Sequence, residues 1–110
     1  MIVRIWRGQA APDMADAYAR HVTGEVFPSL RTIAGHRGAY LLRRPSAGRV
    51  EFLAVTLWDS LDAIKKFAGD DPEVAIVEPA ARAVLAEFDD FARHYEIAHA
   101  APCPTGASVP

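Results

Sequence analysis

The sharpest pattern along the chain lies in residues 49–68, where Phe52, Ala54, Thr56 and Trp58 alternate with Leu53, Val55 and Leu57. Successive side chains of a strand point to opposite faces, so this stretch predicts a strand that is apolar on both faces and needs cover on both. Asp59 or Ser60 follows as the N-cap of a helix holding Ile64 and Phe67. Upstream, Ile2 to Arg7 alternates and is rich in β-branched and aromatic residues, which predicts strand one, with a break over Gly8 to Pro12. Between Asp13 and Phe27, Met14, Tyr18, Val22 and Val26 recur every fourth residue, the stripe of an α-helix. Pro28 cannot extend that hydrogen-bond ladder undisturbed, so a break or kink is expected there, then a short turn through Leu30 and Ile33.

Gly35-His36-Arg37-Gly38 signals a turn, Ala39 to Arg43 reads as strand two, and Pro45-Ser46-Ala47-Gly48 closes a hairpin onto strand three. Asp71 and Pro72 are expected to start a new helix. A further helix is predicted over 79–91, with Val84, Leu85, Phe88 and Phe91 on one stripe, before strand four at 94–98. The order β-α-β-β-α-β predicts an α+β, ferredoxin-like subunit with a four-stranded antiparallel sheet. Right-handed crossovers put both helical regions on one face of that sheet. The apolar residues of the other face then call for a twin, an isologous homodimer with sheet packed on sheet.

A chain of 110 residues makes one domain with a modest core, which a subunit interface would extend. Hydrophobic residues at 51% and charged residues at 24% suit a soluble globular protein. The net charge of −2 supplies no field for a nucleic-acid or membrane partner. Arg37, Arg43, Arg44 and Arg49 gather in or near the hairpin, but without an aromatic platform they read as a solvated tip. The first residues read as a strand carrying Arg4 and Arg7, so neither a signal peptide nor a membrane span is expected there. Cys103, the sole cysteine, lies between two prolines in a Pro/Ala-rich tail spanning 99–110, beyond a domain of residues 1–98. No disulfide framework can form within the chain, and a cytoplasmic location is the default.

Few residues offer chemistry. At helical spacing His21 lies beside Tyr18, Val22 and Glu25 and borders the buried stripe. A neutral imidazole there can take a proton from a phenol or hydroquinone; the plainer role is a core-edge histidine bonded to a carbonyl or to Glu25. Trp6 and Trp58 each offer a flat apolar surface for stacking a substrate, or simply fill the core. Arg4 sits in a strand predicted to be covered on both faces, where an unpaired charge is expensive. Glu51 or Glu96 would pair with it in a structural role, while in a functional one it would steady a carboxylate or enolate oxygen of a ligand. His94 and Glu96 alternate onto one face of strand four and belong to the same network or to the dimer interface. His21, His36, His94 and His99 have no metal-ligand spacing, no phosphate loop or flavin fingerprint occurs, and no serine sits in a nucleophile elbow, so neither a metal nor another cofactor is expected.

Ala17-Tyr18-Ala19-Arg20-His21, Val26-Phe27-Pro28-Ser29-Leu30-Arg31, Gly35-His36-Arg37-Gly38-Ala39-Tyr40-Leu41-Leu42, Thr56-Leu57-Trp58-Asp59-Ser60 and His94-Tyr95-Glu96 together resemble the antibiotic biosynthesis monooxygenase (ABM) domain family, over roughly residues 1 to 97. The resemblance implies a dimeric α/β barrel with a pocket inside each subunit, between sheet and helices. Members of that family include cofactor-independent monooxygenases of aromatic or quinol-like molecules, and Phe67 matches the family's pocket aromatic; for such a reaction the residues read above offer His21 as base, Arg4 as anion stabiliser, and Trp6, Tyr18, Trp58 and Phe67 against the substrate. The alternative is a non-catalytic dimer of the same fold that binds a small hydrophobic molecule or serves a structural role. The haem-degrading branch of the family carries an Asn on strand one, a Trp on the helix after strand three and a His about ten residues later. Here strand one has no Asn, Phe67 stands at the Trp position and Val77 about where the His would be, which argues against haem degradation.

Overall fold

The computed structural model describes residues 1–102; Cys103 and the rest of the expected tail lie outside the described residues. The elements run β1 (Ile2–Ala10), α1 (Ala15–His21), a π-helical turn (Val22–Val26), α2 (Phe27–Leu30), β2 (His36–Ser46), β3 (Arg49–Trp58), α3 (Leu61–Ala68), α4 (Pro79–Val84), β4 (Glu87–Phe88) and β5 (Arg93–Glu96). β1 pairs antiparallel with β3 from Ile2↔Trp58 to Ala10↔Val50, and β3 pairs with β2 across the hairpin. On the other edge of β1, β5 pairs at Ile2–Ile5 and β4 at Gly8–Gln9. The five strands thus fill four sheet positions, with the outer one split in two, and the arrangement is ferredoxin-like.

Local chemistry accounts for the corners. The hairpin turns on Ala47 (φ 49°) and Gly48 (φ 78°), a two-residue turn with both residues left-handed, which suits the twist of the flanking strands. Ser60 caps α3, its hydroxyl accepting from the Ala63 amide at 3.2 Å. Asp59 is engaged elsewhere, accepting from Arg37 Nε and Nη2 at 2.7 and 2.8 Å. Gly35, at φ 93°, lies so close to α3 that a Cβ there would stand 2.6 Å from the Ala63 Cβ, and its carbonyl accepts from the Asp59 amide at 2.8 Å.

The helices cover the sheet face carrying Phe52, Thr56 and Trp58, and Phe52 and Trp58 are both fully buried. Two apolar clusters result, one built on Trp6, Tyr18, Val22 and Phe52 and the other on Leu30, Trp58 and Ile64. On the opposite face Tyr40 pairs with Val55 and Leu42 with Leu53, and Tyr40, Leu42 and Tyr95 are exposed. Among the described residues no helix is long and apolar enough to cross a membrane.

Several boundaries differ from the pattern-based expectation, each for a tertiary reason. β1 continues through Gly8 to Ala10 because β3 and β4 hold that stretch extended from both sides. The helix break comes a turn ahead of Pro28. The Phe27 amide reaches back five residues to the Val22 carbonyl, and the resulting π-turn accommodates a proline whose missing N–H could not serve the ladder. Asp71-Pro72 starts no helix. The segment from Asp70 to Glu78 is tied instead to the stretch before β5, with Ala75 N–H donating to Asp90 at 2.9 Å and Ala92 N–H to Glu73 at 2.7 Å. The helix from Pro79 ends at Val84, since Ala86 and Asp89 donate to the Gln9 and Arg7 carbonyls of β1 at 2.8 and 3.0 Å. Phe88 then packs near Trp6, 6.3 Å between centroids, whereas Phe91 is exposed.

Candidate functional site

Between the sheet and the helices lies a cavity of about 60 Å³. Arg4 and Trp6 from β1 and Ala54 and Thr56 from β3 form its floor. One wall comes from Tyr18 and His21 of α1, Val22 and Val26 of the π-turn and Phe27 of α2, and Phe67 of α3 supplies another. Ile76, Val77 and Glu78 close the top. Of the six residues singled out from the sequence, Arg4, Trp6, Tyr18, His21 and Phe67 are brought together here, and Trp58 is not. It stacks near Phe67, 6.2 Å between centroids, and donates its indole N–H to the Thr56 hydroxyl at 2.8 Å, so it supports the wall without lining it.

The aromatic lining is fixed. Trp6 donates its indole N–H to the Asp89 carbonyl at 2.8 Å and lies 6.5 Å from Tyr18, which in turn lies 4.8 Å from Phe52. Tyr18 is buried, and that burial raises its phenol pKa well above the ordinary value.

Arg4 is the most unusual group. Neither expected carboxylate pairs with it. Glu51 is held by Arg44 at 2.8 Å and Arg7 at 2.7 Å, contacts that lower its pKa, and Glu96 sits at β5 opposite Ile2. Among the described residues no carboxylate lies within ion-pair distance of Arg4. Its Nη2 donates to the Val74 carbonyl at a long 3.4 Å, its Nε is buried without a partner, and its guanidinium lies over Phe67 at 5.4 Å. Burial pulls its pKa down to about 10. Beside it in register is His94, whose Nε2 is also unpartnered. Burial lowers the pKa of His94, the charge of Arg4 lowers it further, and Glu73 opposes the shift.

His21 sits between two carboxylates. Its Nδ1 stands 3.2 Å from Glu25 and its Nε2 3.6 Å from Glu78, and the side chain is only 9% exposed. Glu25, one turn away, is visible at helical spacing. Glu78 carries no such signal, because the irregular segment from Asp70 brings it over the cavity. One ligand atom each from His21, Glu25 and Glu78 lie within 4.8 Å of one another. This donor set, one imidazole and two exposed carboxylates, falls short of the closed four-ligand set of a structural zinc site. Val26 and Phe27 reach the cavity through the π-turn, whose only trace in the sequence is Pro28.

The family described as antibiotic biosynthesis monooxygenase matches residues 1–79 of the chain. Among solved structures, the chain is similar to a Bacillus cereus protein provisionally named an antibiotic biosynthesis monooxygenase (14% identity, 94% of this chain and 97% of that one, TM-score 0.67). It is also similar to the ActVA-Orf6 monooxygenase of Streptomyces coelicolor, in complex with nanaomycin D (20% identity, 99% and 91%, TM-score 0.61). A third is the haem-degrader MhuD of Mycobacterium tuberculosis, with two haems in its active site (20% identity, 93% and 100%, TM-score 0.59). Identities this low establish a common fold. No curated protein matches.

Proposed function

The chain belongs to the antibiotic biosynthesis monooxygenase family, and from that premise we propose that it is a cofactor-independent monooxygenase of a small aromatic or quinol-like molecule. One observation carries the reading: Arg4, a buried guanidinium that has no counter-ion among the described residues, faces the same aromatic cavity as His21, whose Nε2 has no hydrogen-bond partner among them. A buried cation left unpaired is costly, and an oxyanion on the ligand would offset that cost. In the proposed reaction His21 Nε2 removes a proton from the substrate, and Glu25 and Glu78 balance the charge the ring acquires. Arg4 stabilises the resulting enolate or phenolate, while Trp6, Tyr18 and Phe67 hold the rings. The electron-rich anion reacts with dioxygen; one oxygen atom enters the substrate, the other leaves as water, and the substrate supplies all four electrons.

The small cavity favours a second reading, a non-catalytic small-molecule-binding or structural protein. Ligand pockets usually span roughly 300–1,000 Å³, so a bicyclic ligand enters this one only if Ile76–Glu78 lifts. Oxygen uptake separates the two. Turnover of hydroquinones or naphthols that persists after exhaustive metal and flavin removal and is lost in His21→Ala supports the oxygenase. No uptake across such a panel leaves the binding reading.

The exposed apolar face carrying Tyr40, Leu42 and Tyr95 supports a homodimer in which two sheets pack face to face.

A further inference from the structure

The charges around the cavity are sorted by depth. At the floor, Arg4 is 6% exposed, with Nε unpartnered and Nη2 held only by the long bond to the Val74 carbonyl. At the rim stands Glu78, its side chain 51% exposed; Glu25, off the lining and 71% exposed, lies behind it on the other nitrogen of His21, a carboxylate oxygen within 4.8 Å of one of Glu78. Among the described residues the one basic side chain within ion-pair distance of either is His21, a pair that is ionic only when the ring carries a proton. Arg82, on the helix that begins just after Glu78, donates to the Val77 carbonyl at 3.1 Å and lies over the Phe88 ring at 5.1 Å, and among the described residues it makes no ion pair with Glu78 or Glu25. Between floor and rim the walls are aromatic and aliphatic, with Trp6, Tyr18 and Phe67 on the lining.

Such a gradient reads the position of charge on a ligand. An oxyanion pushed inward meets a desolvated guanidinium with a free donor, a charge-assisted contact in a poorly screened place. An anion at the outward edge meets the Glu78 carboxylate, with Glu25 adding its charge from close behind, and like charges brought together exclude the wrong partner. Resting on the reading of this cavity as a small-molecule site, we infer that it selects planar aromatic molecules with a single acidic group, bound acid-end inward on Arg4, and rejects those with a second anionic group at the opposite edge. A hydroxyl, amide or amine is accepted at that outer edge, where the Glu78 carboxylate can receive its hydrogen bonds.

Calorimetric titration of the full chain at neutral pH with the monocyclic probes benzoate, benzamide and terephthalate, which do not require Ile76–Glu78 to lift, tests this selection. The monoacid is expected to bind about ten-fold more tightly than either of the others. In the Glu25→Gln/Glu78→Gln variant, whose altered positions are exposed and spare the core, the penalty on the diacid is expected to shrink about five-fold while the monoacid advantage over the amide persists. A diacid that binds as tightly as the monoacid, or a penalty unchanged in that variant, overturns the inference. Failure of all three to bind overturns it together with the small-molecule reading of the cavity. Ordered binding without oxygen uptake from any phenolic substrate upholds the selection and overturns only the oxygenase.

Discussion

The Arg4 guanidinium lies over the Phe67 ring, 5.4 Å from its centroid, and this contact stands in place of an ion pair. A cation over an aromatic face contributes about 0.5–2 kcal/mol, which does not make up for removing a full charge from water. The lowered pKa of Arg4 has burial as its cause. The group is therefore poorly placed for stability and well placed to receive an anion.

Replacing Arg4 by Met should consequently leave the fold intact and stabilise it by about 1 kcal/mol, because an apolar side chain of similar reach removes a buried unpaired charge. Urea unfolding measures this directly. The same variant should lose its preference for anionic over neutral aromatic ligands, so stability and ligand preference move in opposite directions. A destabilisation as large as that of an ordinary broken ion pair would mean that Arg4 has a structural partner.

The two tryptophans should separate cleanly. Trp58 is fully buried in the second core cluster, and truncation to Ala should cost about 3–5 kcal/mol. Trp58→Phe keeps most of that packing and should leave aromatic ligand affinity nearly unchanged. Trp6→Phe, on the cavity lining, should weaken that affinity while costing less stability than Trp58→Ala. Denaturant titration paired with calorimetry checks both.

Haem should not form a stable complex. Phe67 and Val77, at the positions where the haem-degrading branch carries a Trp and a His, present only hydrocarbon to the cavity, so no imidazole there can ligate the iron. Titration with haemin should give no saturable Soret shift and no turnover with a reductant. A stable shift would return the haem-degrading activity to consideration.

What the sequence discloses depends on range. The β3–α3 corner is legible because its signals are local: alternation from Phe52 to Trp58, then a serine at the N-cap. The environment of Arg4 is not, because it rests on strand register. Arg4 lies opposite Thr56, and Glu51 lies opposite Gln9. Glu51 is an odd number of residues from Thr56, so its side chain points to the other face of the sheet, where Arg7 and Arg44 hold it. The roof of the cavity escapes for a related reason. Asp71-Pro72 carries a strong local helix signal, and backbone bonds between Ala75 and Asp90 and between Ala92 and Glu73 override it.

Mild acid should destabilise the chain before carboxylate titration begins. The pKa values of His36 and His94 both fall below the ordinary 6.5 through burial. As pH drops through about 6.5 the unfolded imidazoles take up protons that the folded ones resist, so the unfolded state binds more protons and stability declines. Once pH passes below the depressed folded values the loss is complete. Denaturation midpoints measured between neutral pH and mild acid should show this slope, and His94→Asn should reduce it. A slope untouched by that substitution would place the charge-sensitive group elsewhere.

The exposed sheet face makes the last prediction. Tyr40 and Leu42 face outward in register with Val55 and Leu53, beside the Arg7–Glu51–Arg44 cluster, and an exposed apolar patch on a small sheet aggregates or pairs unless it is covered. A second copy of the chain is self-complementary there. Sedimentation at micromolar concentration should give a dimer, and Leu42→Glu should convert it to a monomer, since each interface would then carry two desolvated carboxylates. Because this face lies on the far side of the sheet from the cavity, the monomeric variant should retain ligand binding to within about three-fold. A wild-type chain that sediments as a monomer at that concentration rules out the face-to-face pairing.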